Sequence, residues 1–345
     1  EGNLRVEENL GEGYVRLRVS EAERRQAKHD IQHVEDIVIE MLRNARDAGA
    51  DKVYLATTKE DGVRTLVFLD NGSGVPQDMQ ERIFDARVTS KLESMKMDRW
   101  GVHGRGMALF SIKQNTDEAR VVASDVDLGS VFKVSVATDR LGERADQSSW
   151  PQAVKDEDGH YVCARGPHNI IRAACEFALE ELRACDVYLG SPSEIAATLH
   201  AQVSSRLDAS RLLFIDDEAE LPVVDRLGLA SDAEDFIRIC SGLGLEMSER
   251  TAHRILAGQI KPVRGVTARL LRERDSSSHA SAPVDLAKDR RGLRIAKDDM
   301  AQFSRAVERD FNDLASRYYL NLCGDPKIRV SRDRITVTFD LAKEE

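Results

Sequence analysis

Between residues 34 and 45, the apolar side chains Val34, Ile37, Val38, Met41, Leu42 and Ala45 recur at intervals of three and four. An α-helix gathers that spacing on one face, so this stretch is expected to lie as a helix against a core. Gly49 follows where a helix commonly ends in a left-handed glycine. The same winding sets Glu40, Asn44 and Asp47, at i, i+4 and i+7, on a different face. A fold built around this helix presents a carboxylate and an amide side by side, one turn apart.

The neighbouring segments supply a sheet. Val15, Leu17 and Val19 alternate with polar residues, as in a half-buried strand, and a polar helical run starts at Ser20. Residues 53–56 and 65–69 form two strand-like runs joined by a turn at Glu60-Asp61-Gly62. The second leads into Asp70-Asn-Gly72-Ser-Gly74, where two glycines in five residues mark a sharp turn and a close approach. A short helix is expected over 77–84 and an irregular polar stretch over 85–100. Then comes Gly101-Val-His-Gly104-Arg105-Gly106-Met107, opening another helix at Ala108. Residues 120–124 and 130–136 are strands joined by a hairpin loop.

Polar residues and Trp150-Pro151 place a boundary near 140–160. Beyond it the pattern is mainly helical, with helices expected over 169–189, 192–207, 232–241, 248–258 and 263–274. Residues 211–215 are a short apolar run, 276–283 a flexible linker. A helix over 297–320 precedes a hairpin of 328–330 and 335–339. The expected domains are therefore 1–150, a helical connecting region 151–225, a small helical region 226–274, a linker 275–287 and an α+β segment 288–345.

A length of 345 residues allows two or three domains. The net charge of −10 excludes a uniformly basic nucleic-acid binder, but its distribution is uneven. Residues 250–345 carry 20 basic against 14 acidic side chains, leaving −16 on residues 1–249. Within that tail, residues 250–297 carry 12 basic and 4 acidic side chains. A basic segment behind an acidic body suits a phosphate-backbone partner, and equally a solvated linker. No apolar run approaches the ~18 residues of a membrane span, and the beginning lacks the order of a signal peptide. Five scattered cysteines show neither metal-ligand spacing nor a disulfide framework. The expected compartment is the cytoplasm, with no membrane partner.

An amide oxygen at Asn44 is a reasonable ligand for Mg²⁺, which prefers oxygen donors and keeps waters and substrate phosphates. A carboxylate beside it, at Glu40, can orient or deprotonate a water. The same pair also fits an ordinary solvated helix face. A glycine-rich loop can present backbone N–H groups to phosphates, and Gly101-x-x-Gly104-x-Gly106 fits that role. It is neither a Walker P-loop, for want of a terminal Gly-Lys-Ser/Thr, nor the dinucleotide fingerprint.

Taken in order, Glu40-x-x-x-Asn44-Ala-x-Asp47-Ala-Gly-Ala50, Asp70-Asn-Gly-Ser-Gly74 and Gly101-x-x-Gly104-x-Gly106-Met107 closely resemble the GHKL ATPase superfamily over roughly residues 10–140. That group includes DNA gyrase, the ninety-kilodalton heat-shock chaperone, sensor histidine kinases and MutL-type proteins. The resemblance implies an α/β sandwich of the Bergerat type enclosing ATP. It implies Glu40 as general base, Asn44 as Mg²⁺ ligand and Asp47 lining the pocket. Asp70 would accept from the adenine amino group, with Gly72 and Gly74 passing close to the base. The segment Gly101, Gly104, Arg105, Gly106 and Met107 would form a lid over the phosphates. Ser130 would stand where the family has a Gly-Thr step.

Ala86-Arg-Val-Thr89-Ser-Lys91-Leu92 is similar to the Ala-Thr-Ser-Lys-Ile stretch of MutL-type proteins and adds Lys91 to the expected nucleotide contacts. Sensor kinases generally lack a carboxylate where Glu40 stands. His29 lies too near Glu40 for a phospho-acceptor domain to fit between them. The motifs sit closest to the MutL and topoisomerase VI B branch. That branch implies slow ATP hydrolysis, a homodimer closing on ATP and a role in a DNA transaction. Residues 248–262 resemble half of a helix-turn-helix, and residues 248–274 are the expected DNA contact, with Arg250, His253 and Arg254 on the open face. The other open readings are a histidine- or serine-kinase-like phosphotransferase and an ATP-switched transcription regulator.

Overall fold

The computed structural model describes residues 6–90, 96–103, 106–206, 217–271, 297–315, 320–324, 326–330 and 335–343. It forms two compact units, Glu1–Arg274 and Asp275–Glu345. The first opens with an antiparallel pair, β1 (Val6–Gly11) and β2 (Tyr14–Leu17). Ser20 then starts α1 (Glu21–Asp30). Its hydroxyl accepts from the Glu23 N–H while the Glu23 carboxylate accepts from the Ser20 N–H, a reciprocal cap that satisfies two otherwise orphaned donors. The amphipathic stretch forms α2 (Val34–Asp47), and Gly49 leaves it at φ +75°.

Next come β3 (Lys52–Glu60) and β4 (Val63–Asp70). The two residues between them, Asp61 and Gly62, both have positive φ, the turn geometry that matches the twist of a hairpin. The expected helix over 77–84 is instead two 3-10 turns, Gln77–Met79 and Arg82–Phe84, which bury Met79, Ile83 and Phe84. β5 (Val88–Thr89) pairs with β2. At the end of the stretch expected to be irregular, β6 (Lys96–Asp98) pairs with β7 (Gly101–His103) of the glycine-rich segment in an antiparallel hairpin. Then follow α3 (Ala108–Asn115), β8 (Glu118–Ser124) and β9 (Ser130–Ala137).

Past residue 140 helices still outnumber strands among the described residues, but strands stand where only helices were expected. β10 (Gln152–Lys155) and β11 (Tyr161–Arg165) form a hairpin. The stretch expected as one helix over 169–189 divides into α4 (Ile170–Glu180) and β12 (Asp186–Gly190). The break falls around Arg183, at φ +72°. Val187 and Leu189 alternate with Tyr188, and that two-residue period prevails over the helical one. α5 (Pro192–Arg206), α6 (Ala233–Gly242) and α7 (Glu249–Leu256) follow, with a last helical stretch at 266–271.

The main sheet has the order β12-β3-β4-β9-β8. β12 runs parallel to β3, and every other pairing is antiparallel. Because β12 comes from beyond residue 150 and pairs along β3, the expected boundary at 150 cuts through a single sheet.

Both faces of that sheet are covered. Val53, Leu55, Leu66, Phe68, Phe132, Val134 and Val136 point into a core with the apolar stripe of α2 and with Ala174, Phe177 and Ala178 of α4. Tyr54, Ala56, Val67, Leu69 and Val131 point the other way. There they meet Ile195 and Leu199 of α5, Phe236 and Ile239 of α6 and Ile255 of α7. Tyr54 stacks on Tyr188 of β12, with ring centroids 4.9 Å apart. Two-sided burial explains why β3 and β4 carry near-continuous apolar runs rather than an alternation. This is a mixed α/β fold, a five-stranded sheet between helical layers.

The second unit holds α8 (Lys297–Ala315), β13 (Leu320–Leu322) paired with β16 (Leu341–Lys343), and β14 (Lys327–Val330) paired with β15 (Ile335–Thr338). Phe311 of α8 stacks on Phe339, centroids 4.0 Å apart. The expected run at 211–215 and linker at 276–283 lie outside the described residues. No described helix is long and apolar enough to cross a membrane. Cys163, Cys175, Cys185 and Cys240 are free and buried, and Cys323 is free and exposed. Burial pushes the Cys185 and Cys240 thiols up to about 12, so neither supplies a thiolate near neutrality.

Candidate active site

Glu40, Asn44 and Asp47 form one wall of a cavity of ≈570 Å³. The helix that carries them is pinned by its apolar stripe, which fixes the rotation of its opposite face. Across from it, Asp70 at the end of β4 and Ser130 at the start of β9 occupy paired positions in the sheet and line the same cavity, as does Gly74. Gly106 and Met107, at the entry to α3, line it too. Expected motif positions on α2, at the β4–β9 edge and at the start of α3 thus meet around one space.

At the Glu40 end the interactions are ionic. Arg43 Nη1 donates to Glu40 Oε1 at 2.6 Å. Arg43 Nε and Nη2 donate to the two oxygens of Asp98, each at 2.9 Å. Arg46 donates to Asp47 at 3.0 Å and to Asp98 at 3.0 Å. The Asp98 carboxyl also accepts the Trp100 N–H at 3.1 Å. Burial works against the Asp98 charge, but its bonds from Arg46, Arg43 and Trp100 outweigh that and hold it below the usual aspartate value. Burial likewise opposes the Arg46 charge, and Asp98, Asp47 and Glu181 reverse the effect, leaving its guanidinium more firmly protonated than usual.

The side-chain nitrogen of Asn44 is buried and meets no hydrogen-bond partner among the described residues. A buried orphan of this kind is costly unless something binds it. With the carboxylates of Glu40 and Asp47 on the same wall, the donor set is oxygen-rich and suits Mg²⁺ with a phosphate chain.

At the Asp70 end the contacts are mostly to backbone groups. Asp70 is 4% exposed and accepts the Gly72 N–H at 2.8 Å. A Cβ on Gly74, at φ +71°, would stand 1.8 Å from the carbonyl oxygen of Asp125. One on Gly129, at φ +77°, would stand 2.2 Å from the carbonyl oxygen of Asp70. Asp127 N–H donates to Ser73 O at 2.8 Å. Ser124 Oγ accepts the Val75 N–H at 2.7 Å, donates to Gly129 O at 2.8 Å and lies 3.2 Å from Ser130 Oγ. Two loops are locked face to face, and their glycines are required by that approach.

The glycine-rich segment is only partly in view. Gly101 opens β7 opposite Asp98. Gly106, at φ +65°, accepts the Arg87 N–H at 2.8 Å. Lys91, Gly104 and Arg105 lie outside the described residues. Gly72 shapes the turn: a Cβ there would meet Ala48 O at 2.8 Å. Reasoning from motifs missed Arg43 and Asp98, and also Phe68, Phe132 and Trp100, which line the cavity or pack behind it. Arg43 had a signal: it falls between apolar positions on α2, where a buried cation calls for a carboxylate partner.

Residues 31–124 match the family model described as histidine kinase-, DNA gyrase B-, and HSP90-like ATPase. The chain is also similar to the DNA mismatch repair protein MutL of Staphylococcus aureus strain Newman, 28% identical over 136 residues, which is 36% of this chain and 20% of that protein. The MutL proteins of strains JH1 and COL match to the same extent. Together the two matches support a GHKL-type ATPase domain, with its similarity on the MutL-like side. The matched stretch spans only a fifth of those relatives' length. The stretch that matches the family holds α2, β3, β4, α3 and β8, and so Glu40 through Met107. β9 with Ser130, α4 and β12 complete the fold outside it.

Proposed function

We propose that this protein binds ATP in the cavity between α2 and the β4–β9 edge and hydrolyses it slowly. The observation that carries this reading is the convergence of Glu40, Asn44, Asp47, Asp70 and Ser130 on one cavity from separate elements. Adenine would lie at the Asp70–Ser130 end, where a buried carboxylate accepts the exocyclic amino group. The triphosphate would extend along α2 toward Gly106 and Met107, with amides of the glycine-rich segment around it. Glu40 would align and deprotonate the attacking water. Asn44 would hold Mg²⁺, which when bound neutralises phosphate charge. The test is turnover and ATP affinity measured together on the wild type and Glu40→Ala. Retained binding with lost phosphate release supports the reading, and unchanged release removes Glu40 from it.

We further propose that the nucleotide cycle regulates a DNA transaction, with ATP drawing two copies of the chain together. Ser248 caps α7 by accepting the Thr251 N–H at 3.3 Å, and Arg250, His253 and Arg254 are exposed along it, with Lys261 and Arg264 exposed just beyond. Cations on an otherwise acidic unit suit a phosphate backbone. A duplex titration of wild type and the Arg250→Ala/Arg254→Ala double variant tests this. Affinity should fall in the variant and fall with salt in the wild type. Labelled ATP separates hydrolysis from phosphotransfer: label released as free phosphate supports the ATPase, and label kept on protein supports a kinase.

A further inference from the structure

The proposed general base has a fixed partner. Glu40 Oε1 accepts from Arg43 Nη1 at 2.6 Å, a short charge-assisted bond on one turn of α2. Arg43 is itself anchored: its Nε and Nη2 grip both oxygens of Asp98 in a bidentate fork, 2.9 Å each. The Arg43 side chain is 3% exposed and that of Asp98 5%, so water does not loosen either grip. Asp98 is held in turn by Arg46 at 3.0 Å and by the Trp100 N–H at 3.1 Å. It sits at the end of β6, directly opposite Gly101, the first glycine of the segment expected to cover phosphates.

We propose that Arg43 is the positioning residue for Glu40, and that Asp98 holds Arg43 in place. This rests on the ATPase reading and names what that reading leaves open, the means by which a carboxylate on a helix is kept at one angle. An unrestrained glutamate samples several rotamers, and a base must meet its water at a defined geometry. Asp98 grips the same guanidinium on its other side, so Arg43 reaches Glu40 from a fixed position and supplies direction. The ladder Glu40–Arg43–Asp98 also ties the base to the hairpin of the glycine-rich segment, so that hairpin displacement and base alignment are linked.

The experiment compares ATP turnover and ATP affinity in the full chain for wild type, Glu40→Ala, Arg43→Lys, Arg43→Ala and Asp98→Asn. Melting curves identify any variant that fails to fold. Positioning predicts that Arg43→Ala and Asp98→Asn lose about ten- to a hundredfold in kcat, within the range attached to a misplaced catalytic group, while KM and ATP affinity stay within about threefold. Arg43→Lys keeps one donor and should recover part of the rate, which a merely structural role would not do selectively. Should Arg43→Ala not fold, Arg43→Lys and Asp98→Asn decide. Turnover equal to or above wild type in folded Arg43 or Asp98 variants would overturn the proposal, a rise meaning that the pair restrains the base. Equal losses in kcat and affinity would overturn it too. A wild type that binds or hydrolyses no ATP, or a fully active Glu40→Ala, is the separate failure of the ATPase reading.

Discussion

The two ends of the cavity are held by different forces. At the Asp70 end, the 70–75 and 124–130 loops lie backbone against backbone, spaced by Gly74 and Gly129 and laced by the Ser124 hydroxyl. At the Glu40 end, five charged side chains from α2 and β6 share a buried ionic network. Contact forces fall off within an ångström, so the first end tolerates almost no added volume. Charge pairs act over longer distances and depend on protonation, so the second end can shift its side chains and respond to acidity. A sterically locked end and an ionically held end make distinct demands on mutation.

The largest expected effect lies at the ionic end. Glu40→Ala should lower turnover by about 10²–10⁴-fold, the usual contribution of a positioned base, with ATP affinity nearly kept. Phosphate release and equilibrium binding measured on one preparation check this. Next comes the steric end. Gly74→Ala would drive a Cβ to 1.8 Å from Asp125 O at a left-handed backbone angle. A loss of about 2–4 kcal/mol in unfolding free energy is expected, among the severe class of single substitutions, together with weakened ATP binding. Gly62→Ala is its control. That residue also has positive φ, but a Cβ there meets nothing within 4 Å, so only about 1 kcal/mol of backbone strain should appear. If the two variants melt alike, packing between the loops is not what holds the Asp70 end.

How much of this was legible in the sequence follows the same division. The α2 stripe, the hairpin turn at Asp61-Gly62 and the glycines of the Asp70 loop announce themselves because each is a local requirement of backbone geometry. The site residues on α2 were legible because helical spacing fixes their common face. β12 was not legible as a strand. Five residues are too few to outweigh the helical period of α4 before them, and the strand is specified by pairing with β3, more than a hundred residues earlier. Asp98 was illegible for the same reason: its partners Arg43 and Arg46 lie on α2, and no local pattern joins them. The covering of the sheet's second face by α5, α6 and α7 is visible only once the apolar runs of β3 and β4 are known to be buried on both sides.

A smaller effect is expected from Asp70→Asn. The carboxylate loses its charge but keeps one oxygen to accept the Gly72 N–H, so the loop should survive. On the proposed ATP reading, what is lost is a charged acceptor for the adenine amino group. Hydrogen bonds to charged groups contribute about 1.5–3 kcal/mol, so ATP affinity should fall roughly tenfold to a hundredfold, with kcat at saturation little changed. Calorimetric titration and saturation kinetics check the split. A drop in kcat at unchanged affinity would place Asp70 with the Glu40 end and erase the contrast between the two.

The smallest effect is a pH dependence of stability at the ionic end. Burial opposes the Asp98 charge, yet its bonds from Arg46, Arg43 and Trp100 hold the carboxyl below its ordinary value. A carboxyl depressed by folding contributes stability that is present above its unfolded value, about 3.9, and is lost as pH falls through the folded value. The melting-temperature gap between wild type and Asp98→Asn should therefore be constant from neutrality down to about pH 4 and narrow below it. Gly74→Ala removes no titrating group, so its gap from wild type should stay flat through the same acid range. The measurement is a melting series of the three proteins at stepped pH. A gap for Asp98→Asn that widens in acid would reverse the sign of the Asp98 shift and with it the claim that the arginines, rather than burial, govern that carboxyl.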